Sequence, residues 1–344
     1  MSTLTSAPTA GEMAGRLRTW ATAHVPGAAE VTDVGPMPGN AGLSFGCDVL
    51  DAGGSVLTSL VVRLAPPGVR RQGNTDVLRQ VPLLRTLQAG GIPVAPLLWS
   101  TDDPRWFGTD AIVQERLRAK HLPMHDPTSG ALPADGDTTP YLRQAVSALA
   151  ELHALDWRAG LSDWDEIQSV ADQVAFWRRF LPRHPDPAWT ELGERLADRL
   201  LEADPGGHRT GLFHGDYQTH NILYDEADGR LVAVIDWEIA GLGPVGLDVG
   251  WLAMMVDPAC WHEERSAVAL VREEPDRIRR WYEEDSGQPL EHFDYYQALA
   301  CYRYGAITGF NLYLHRSGRR VDESNELTGP AAPALFRAGL RLLS

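Results

Sequence analysis

The pattern of apolar and polar positions changes character about a third of the way along the chain. Before that point it favours strands, since SVLTSLVVRL (55–64) and DAIVQERL (110–117) are dense in β-branched and apolar residues. One helix is predicted in the same region, because PLLRTLQAGG (82–91) repeats leucine at helical spacing and ends in two glycines. The first third of the chain is therefore predicted to be rich in β-structure.

Long helices are predicted for most of the remaining sequence. In TPYLRQAVSALAELHALD (139–156), Leu142, Val146 and Leu149 share one apolar stripe. Its Thr-Pro start is typical of the first turn of a helix, where the missing N–H of proline does no harm. Further helices are predicted over 167–181, 188–203, 259–285, 292–316 and 332–343.

One β-hairpin is predicted inside the helical part. Two short apolar runs, 221–224 and 231–235, are separated by DEADGR, in which Asp228-Gly229 favours a turn. By contrast, the stretch 122–140 is rich in Pro, Gly and Asp and has no periodic pattern, so we expect a flexible connection or a lid there.

These elements predict an α+β fold with two lobes, because 344 residues are many for one compact core. We expect residues 1–12 to form a short flexible tail. Residues 13–117 would form a β-rich N-terminal lobe, and residues 118–344 a mostly helical C-terminal lobe.

Composition narrows the range of partners. The chain has 31 basic and 46 acidic residues, a net charge of -15 and no basic stripe, which argues against nucleic acid as a partner. The acidic balance would suit a cationic small substrate, although solubility explains it more simply. No apolar run reaches 18 residues, so we expect no membrane span, and the N-terminal residues lack the features of a secretory signal.

Cysteine and lysine usage adds two constraints. Cys47, Cys260 and Cys301 are widely spaced and match neither a disulfide framework nor a metal pattern, which fits a reducing cytoplasm. Lys120 is the one lysine in the chain. A site that needs a cation must therefore use arginine or that single lysine.

The stretch FHGDYQTHN (213–221) concentrates polar groups beside the predicted hairpin. Asn221 follows Asp216 by five residues, and Asp236, at the end of the second strand, follows Asn221 by fifteen. A tight hairpin brings the start of one strand beside the end of the next, so Asn221 and Asp236 are expected to face one point. Carboxylate and amide oxygens are ligands that Mg²⁺ prefers, and Asp216 could accept a hydrogen bond from an incoming hydroxyl.

A different reading of the same stretch is a zinc site. His214, Asp216 and His220 form the pattern H-x-D-x₃-H, whose side chains could ligate zinc in a hydrolase. No further cluster of cysteine or histidine in the sequence completes such a site. Zinc-dependent hydrolysis therefore stays a lesser alternative.

Several motifs together resemble the aminoglycoside phosphotransferase family, which contains small-molecule kinases with a protein-kinase-like fold. The Asp-x₄-Asn spacing is that of the kinase catalytic loop, with Gly215 in place of its arginine. HGDYQTHNIL and AVIDWEIAGLGPVGLDVGWL carry the likeness most specifically, within 213–250. LAELHALD, VVRLAPPG and IVQERL extend it to residues 30 to 316.

The resemblance implies roles for residues around the predicted hairpin. Asp216 would be the catalytic base or would position the acceptor hydroxyl. Asn221 and Asp236 would hold Mg²⁺. His214 would anchor the catalytic loop by hydrogen bonds, and Asp248 would brace the loop after Asp236.

The resemblance also implies an ATP site in the N-terminal lobe. The backbone near Gln114 and Leu117 would pair with adenine. Arg63 stands where kinases place the strand lysine that holds the phosphates, and Gln80 where they place its partner glutamate. Within the phosphate-covering segment PGNAGLSFG (38–46), the nucleotide contacts would include Gly42 and Ser44.

The function that these features imply is transfer of the γ-phosphoryl group of ATP to a hydroxyl of a small molecule, with Mg²⁺ as the metal. An aminoglycoside-type antibiotic is one candidate acceptor, which would make the chain a resistance factor. The altered Arg63 and Gln80 positions leave a second hypothesis open, a catalytically weak nucleotide-binding regulator of the same fold. The oligomeric state has no signal in the sequence.

Overall fold

The computed structural model describes residues 7–37 and 43–344, and it divides into two compact units. Unit 1 comprises Met1–Ala119, Trp157–Trp164 and Ala233–Ile239. Unit 2 comprises Lys120–Asp156, Asp165–Val232 and Ala240–Ser344. The predicted lobe boundary after residue 117 falls two residues before the first of these boundaries. The linear division does not anticipate that two later segments, including the one with Asp236, belong to unit 1.

Ten strands are present in the described ranges. They are β1 (Glu30–Pro36), β2 (Leu43–Leu50), β3 (Val56–Leu64), β4 (Leu97–Thr101), β5 (Ala111–Glu115), β6 (Ala119–Lys120), β7 (Thr210–Phe213), β8 (Ile222–Asp225), β9 (Leu231–Val234) and β10 (Gly241–Pro244).

Thirteen α-helices accompany them in those ranges. They are α1 (Ala10–His24), α2 (Gln80–Ala89), α3 (Pro104–Phe107), α4 (Thr139–Ala154), α5 (Arg158–Leu161), α6 (Val170–Arg178), α7 (Pro187–Glu202), α8 (Gly246–Val256), α9 (Glu263–Val268), α10 (Pro275–Ser286), α11 (Phe293–Arg316), α12 (Ser324–Thr328) and α13 (Ala332–Leu342).

Unit 1 is built on a five-stranded antiparallel sheet in the order β1-β2-β3-β5-β4. Its apolar side chains alternate along the strands, and Phe45 and Val62 form a buried cluster with Met13, Leu17 and Trp20 of α1. Helix α1 begins at Ala10, inside the segment that the sequence analysis assigned to a tail. Thr9 and Glu12 close a capping box at its start, which explains an ordered beginning there.

Unit 2 is mostly helical, and α11 is its longest helix. Every residue of α8 is buried, so this helix has no polar face and no periodicity by which the sequence could reveal it. Helices α8 and α11 approach closely because Gly246 and Gly250 lie at the contact. A Cβ on Gly250 would lie 2.4 Å from the backbone of Tyr296.

A two-stranded antiparallel sheet positions the loop that carries Asp216. Strand β7 ends at Phe213, directly before the HGD stretch, and pairs with β10, with Gly241 opposite Phe213. Strand β10 runs into α8, which carries Asp248. Because β7 and β10 pair, the start of α8 is brought back to the residues that follow β7.

The α+β prediction is confirmed, with a β-rich N-terminal region and a mostly helical C-terminal part. The single helix predicted over 259–285 is wrong in detail, since α9 and α10 are separated by residues 269–274 and Pro275 starts the second one. None of the helices in the described ranges combines the length and apolar character needed to cross a membrane.

Candidate active site

The loop that carries Asp216 lies between β7 and β8 in unit 2. Asp216 follows β7 in this loop, and a single 3₁₀ turn, Thr219–Asn221, leads into β8. The Asp216 carboxylate accepts hydrogen bonds from Gln218 Nε2, at 2.8 Å to Oδ1 and 2.9 Å to Oδ2. It also accepts one from Asn221 Nδ2, at 3.1 Å to Oδ2. Two side-chain amides therefore fix the orientation of a partly exposed carboxylate.

The orientation of Asn221 suits a metal ligand. Its Nδ2 donates both to the Asp216 carboxylate and to the Asp216 carbonyl oxygen, the latter at 2.9 Å. With the amide nitrogen engaged on Asp216, the amide oxygen Oδ1 is left to act as an acceptor. An amide oxygen is a hard ligand of the type that Mg²⁺ takes.

Asp248 holds the start of the loop. It is fully buried at the beginning of α8, and it accepts hydrogen bonds from the backbone N–H groups of His214, at 2.6 Å, and Gly215, at 2.8 Å. The resemblance implied that Asp248 braces the loop after Asp236. Its observed contacts are instead with the loop before Asp216.

A buried hydrogen-bond chain continues from Asp248 into the helical core. His153 Nε2 lies 3.3 Å from Asp248 Oδ2, and His153 Nδ1 lies 2.9 Å from the Tyr282 hydroxyl. Burial lowers the pKa of His153, so the imidazole is neutral and donates to Asp248 while accepting from Tyr282. Burial alone would raise the pKa of Asp248, but the hydrogen bonds from His153 and the His214 backbone lower it below its ordinary value. The carboxylate therefore stays ionised where it caps the loop.

His214 and Arg303 complete the support of the loop. His214 is fully buried, and its Nδ1 accepts a hydrogen bond from the backbone N–H of Asp216 at 3.2 Å. Arg303, buried on α11, donates from Nη2 to the Gly215 carbonyl at 3.2 Å. Gly215 has φ +87°, a left-handed conformation that favours glycine, which accounts for glycine at this position of the motif.

Arg63 and Asp236 lie together in unit 1. Arg63, on β3, donates from Nη2 to Asp236 Oδ1 and to Glu238 Oε2, at 3.0 Å each. The Asp236 side chain keeps 32% of its surface exposed. Asp236 also has φ +69°, a conformation that costs a non-glycine residue on the order of 1 kcal/mol. Strain of this kind clusters at functional sites.

The partner of the strand arginine differs from the expected one. Gln80 is buried at the first residue of α2, whereas the anions that contact Arg63 are Asp236 and Glu238. The contact of Glu238 with Arg63 was not predicted. The position of Glu238 two residues after Asp236 does not reveal contact with a distant strand.

The remaining residues predicted for nucleotide binding occupy different positions in unit 1. Ser44 lies on β2 directly opposite Arg63 in the sheet register. Gln114 lies within β5, aligned with Val61 and Leu97, while Leu117 follows the end of that strand. Gly42 lies outside the described residues.

The described residues do not form a zinc site. Within residues 7–37 and 43–344, no three or more His, Cys, Asp or Glu side chains are grouped so as to hold a metal ion. His214 is committed to the loop through its hydrogen bond from Asp216. The three cysteines are buried and unpaired by disulfides.

Solved structures share this fold. A provisionally assigned aminoglycoside phosphotransferase from Ralstonia eutropha has a TM-score of 0.76 at 21% identity, covering 96% of this chain and 97% of that one. A choline/ethanolamine kinase family protein from Mesorhizobium loti has a TM-score of 0.61 at 16% identity, with 96% and 99% covered. An AMP-bound spectinomycin phosphotransferase has a TM-score of 0.62 at 13% identity, with 95% and 98% covered. At such identities the likeness shows the fold alone.

Curated relatives have longer chains. The probable acyl-CoA dehydrogenase IBR3 of Arabidopsis thaliana is 28% identical over 211 residues, which is 58% of this chain and 25% of the relative. Acyl-CoA dehydrogenase family member 11 of Pongo abelii is 24% identical over 297 residues, which is 82% of this chain and 37% of the relative. The chain thus spans between 25% and 37% of the length of these two relatives.

A family model described as "Phosphotransferase enzyme family" matches residues 41–283. This range is more than two thirds of the chain, and it includes Arg63, the Asp216 loop, Asp236 and Asp248. The predicted resemblance is confirmed by this match and by the structural neighbours. On this evidence the chain belongs to the phosphotransferase enzyme family.

Proposed function

We propose that this phosphotransferase moves the γ-phosphoryl group of ATP to a hydroxyl group of a small molecule, with Mg²⁺ as the metal. The observation that carries the proposal is the geometry of Asp216, whose carboxylate is held by Gln218 and Asn221 at 2.8 to 3.1 Å and remains partly exposed. A carboxylate oriented in this way accepts a hydrogen bond from the acceptor hydroxyl and aligns its oxygen for attack.

Asn221 and Asp236 are the proposed metal ligands. Asn221 contributes its amide oxygen, because its amide nitrogen is engaged on Asp216. Asp236 contributes its carboxylate, which is one third exposed and held by Arg63 through one oxygen. Mg²⁺ bound with ATP supplies neutralisation of the charge on the phosphate oxygens.

Arg63 is the proposed contact to the phosphates of the nucleotide. Its planar guanidinium keeps the positive charge that kinases place at this strand position, and Glu238 and Asp236 orient it. Ser44 lies opposite Arg63 on the neighbouring strand β2. The segment that contains Gly42 would cover the phosphates. The backbone near Gln114 and near Leu117, which lies beyond the end of β5, would contact adenine. The AMP bound to spectinomycin phosphotransferase supports a nucleotide ligand.

The acceptor is less constrained than the donor. Structural neighbours are named for aminoglycosides, macrolides, choline and ethanolamine, so the fold serves chemically different alcohols. An aminoglycoside-type acceptor is in keeping with the acidic composition of the chain. Three unpaired buried thiols are compatible with the cytoplasm, where ATP is available.

An acceptor screen tests this function. Purified chain would be incubated with ATP and MgCl₂ against a panel of cationic, neutral and anionic alcohols, with ATP consumption and product mass as readouts. We expect phosphorylation of at least one class, abolished by EDTA and by Asp216→Ala. Mg-dependent ATP binding with no phosphorylated product across the whole panel would favour the alternative, a nucleotide-binding regulator.

A further inference from the structure

Four histidines and one arginine form a cluster beside the catalytic loop in unit 2. The members of this basic cluster are His121, His125, His220, His262 and Arg265. They come from three separate stretches: the irregular segment after β6, the 3₁₀ turn that ends at Asn221, and the region of α9. The mechanism proposed above uses none of these five side chains.

Direct contacts bring the three stretches together. The rings of His121 and His220 lie 4.8 Å apart between centroids. The backbone N–H of Leu270, just after α9, donates to the Met124 carbonyl at 2.9 Å, which ties the segment of His125 to the region of Arg265. Arg265 and His262 are close enough to His125 to lower its pKa.

Arg265 is buried, and some of its N–H donors have no hydrogen-bond partner in the described chain. Only 9% of its surface is exposed, and its guanidinium stacks 3.3 Å above the Trp261 ring and contacts Tyr304. Its Nε and Nη1 have no hydrogen-bond partner among the residues that the structure describes. Burial of a guanidinium without a carboxylate is unfavourable unless something satisfies its charge and donors.

A second buried arginine extends the cluster toward Asp216. Arg303 is 2% exposed and contacts the Gly215 carbonyl through Nη2, but within the described chain its Nε and Nη1 lack partners. The rings of Trp251, Tyr304 and Trp261 connect the two arginines. Trp251 lies 5.1 Å from the Arg303 guanidinium, and Tyr304 lies 5.4 Å from Trp251 and 5.6 Å from Trp261.

Arg265 supplies the positive charge of the cluster at neutral pH, because burial lowers the pKa of each of the four histidines. The groups that perturb His125 are Arg265 and His262, both basic, and burial with this repulsion lowers the pKa of His125 to about 4. A carboxylate acts on one member, His262, through Glu264 at the exposed edge of α9. The geometry does not suit a metal ion, because no three metal-binding side chains of the described residues converge and a cation would be repelled by Arg265.

We propose that the basic cluster, through the guanidinium of Arg265, binds an anionic group, a carboxylate or a phosphate, on the molecule that Asp216 prepares for phosphorylation. The proximity of Asp216 follows from the chain itself, since His220 lies in the same turn as Asn221 and Arg303 contacts the residue before Asp216. The acceptor is then a hydroxylated acid or a phosphorylated alcohol, in place of the cationic acceptor that the net charge suggested. The identification of the anion as part of an acceptor rests on the proposed function, but binding of the anion does not.

Calorimetric titration without ATP tests the site in two arms. The carboxylate arm compares glycolate with ethylene glycol, and the phosphate arm compares glycerol 1-phosphate with glycerol, at low ionic strength. We expect the anion of at least one pair to bind about tenfold or more tightly than its neutral counterpart. The arm that responds identifies the group.

Variants locate the binding. Arg265→Met keeps the length of the side chain and removes its charge, and it should weaken anion binding about tenfold or more. Arg265→Lys keeps the charge and should retain part of the affinity, which guards against a loss caused by misfolding. Arg280→Met removes an exposed arginine on α10 and should leave binding unchanged. Arg63→Met reports on anions that bind at the proposed nucleotide site instead.

The outcomes separate this inference from the proposed function. Anions and neutral alcohols binding alike would overturn it, and so would affinity lost in Arg63→Met but retained in Arg265→Met. Phosphorylation of neutral or cationic alcohols alone, with Arg265→Met unaffected, would leave the function standing without the anion site. Binding that depends on Arg265 in a chain that phosphorylates no acceptor would leave the anion site standing without the function.

Discussion

The carboxylate of Asp248 accepts a hydrogen bond from the backbone N–H of Gly215 at 2.8 Å, across 33 residues of sequence. The pairing of β7 with β10 makes this contact, since both residues lie just beyond that small sheet. With the neutral His153 donating to the same carboxylate, the loop that carries Asp216 is fixed from inside the helical core. The position of the Asp216 carboxylate is thus a consequence of buried hydrogen bonds, and it can be tested by substituting the residues that make them.

Replacing Asp248 by asparagine should both destabilise the chain and reduce turnover. The amide preserves the shape but has one oxygen, so the N–H of His214 or of Gly215 loses its acceptor and the His153 contact is changed. Loss of a buried acceptor costs roughly 1–3 kcal/mol of unfolding free energy. Urea denaturation followed by fluorescence measures this, beside Asp294→Asn as an exposed control. Stability and turnover equal to wild type would mean that Asp248 does not hold the loop.

Replacing Arg63 by methionine should raise the KM for ATP. The change removes the guanidinium proposed to hold the phosphates and leaves Asp236 and Glu238 without their shared cation. We expect KM to rise about tenfold or more, with Arg63→Lys intermediate because it keeps the charge but not the planar fork. Arg85→Met, on the exposed face of α2, is the control. An unchanged KM in Arg63→Met would remove Arg63 from the nucleotide site.

His184 should make the chain lose stability in mild acid. Burial lowers its pKa to about 4, and its ring packs in parallel on Phe336 and contacts the Ala306 carbonyl. Between the unfolded pKa of about 6.5 and the folded value, the unfolded chain binds the extra proton, so stability falls as pH falls through this window.

The contribution of His184 is up to roughly 3 kcal/mol between pH 6.5 and 4. Other buried histidines titrate in the same range, so the difference between wild type and His184→Gln isolates it. Unfolding free energies measured across the window should converge at low pH as the wild type loses this contribution. A constant difference between the two proteins at every pH would show that His184 titrates normally.

Two glycine-to-alanine substitutions in helices should act in opposite directions. Gly250→Ala would place a methyl group against the backbone of Tyr296, and overpacking of this kind costs about 1–3 kcal/mol. At Gly15, on the exposed face of α1, a methyl group meets no atom within 4 Å. Its replacement by alanine should stabilise by up to about 1 kcal/mol through helix propensity. Thermal unfolding of both variants checks the sign, and equal shifts would contradict the close contact of α8 with α11.

The elements with strong periodicity could be predicted from the sequence. The long helices α4 and α11 and the strands β3 and β5 lie where the sequence predicts them. Helix α4 has an apolar stripe and β3 an alternating pattern, while α11 and β5 are apolar over most of their buried length. Helix α8 could not be predicted in this way. It is buried on all sides, so its apolar residues have no period.

The polar residues of the loop could be predicted from the sequence, but the distant residues that hold the loop in place could not. Asp216 and Asn221 could be predicted as site residues because their spacing is a local property of the chain. The contact of Glu238 with Arg63 spans 175 residues, and that of Arg303 with Gly215 spans 88. Such contacts depend on how distant elements pack, which a single sequence does not contain. His153 illustrates the same point, since its hydrogen bond to Asp248 spans 95 residues.

Transfer of label from γ-labelled ATP to an acceptor, measured in a single turnover with wild type and Asp216→Asn, tests the central claim most directly. The account predicts a rate about 10²- to 10⁴-fold lower in Asp216→Asn, with ATP binding retained and Asp163→Asn, an exposed control, at the wild-type rate. A wild-type rate in Asp216→Asn would contradict the assignment of Asp216 to the acceptor hydroxyl.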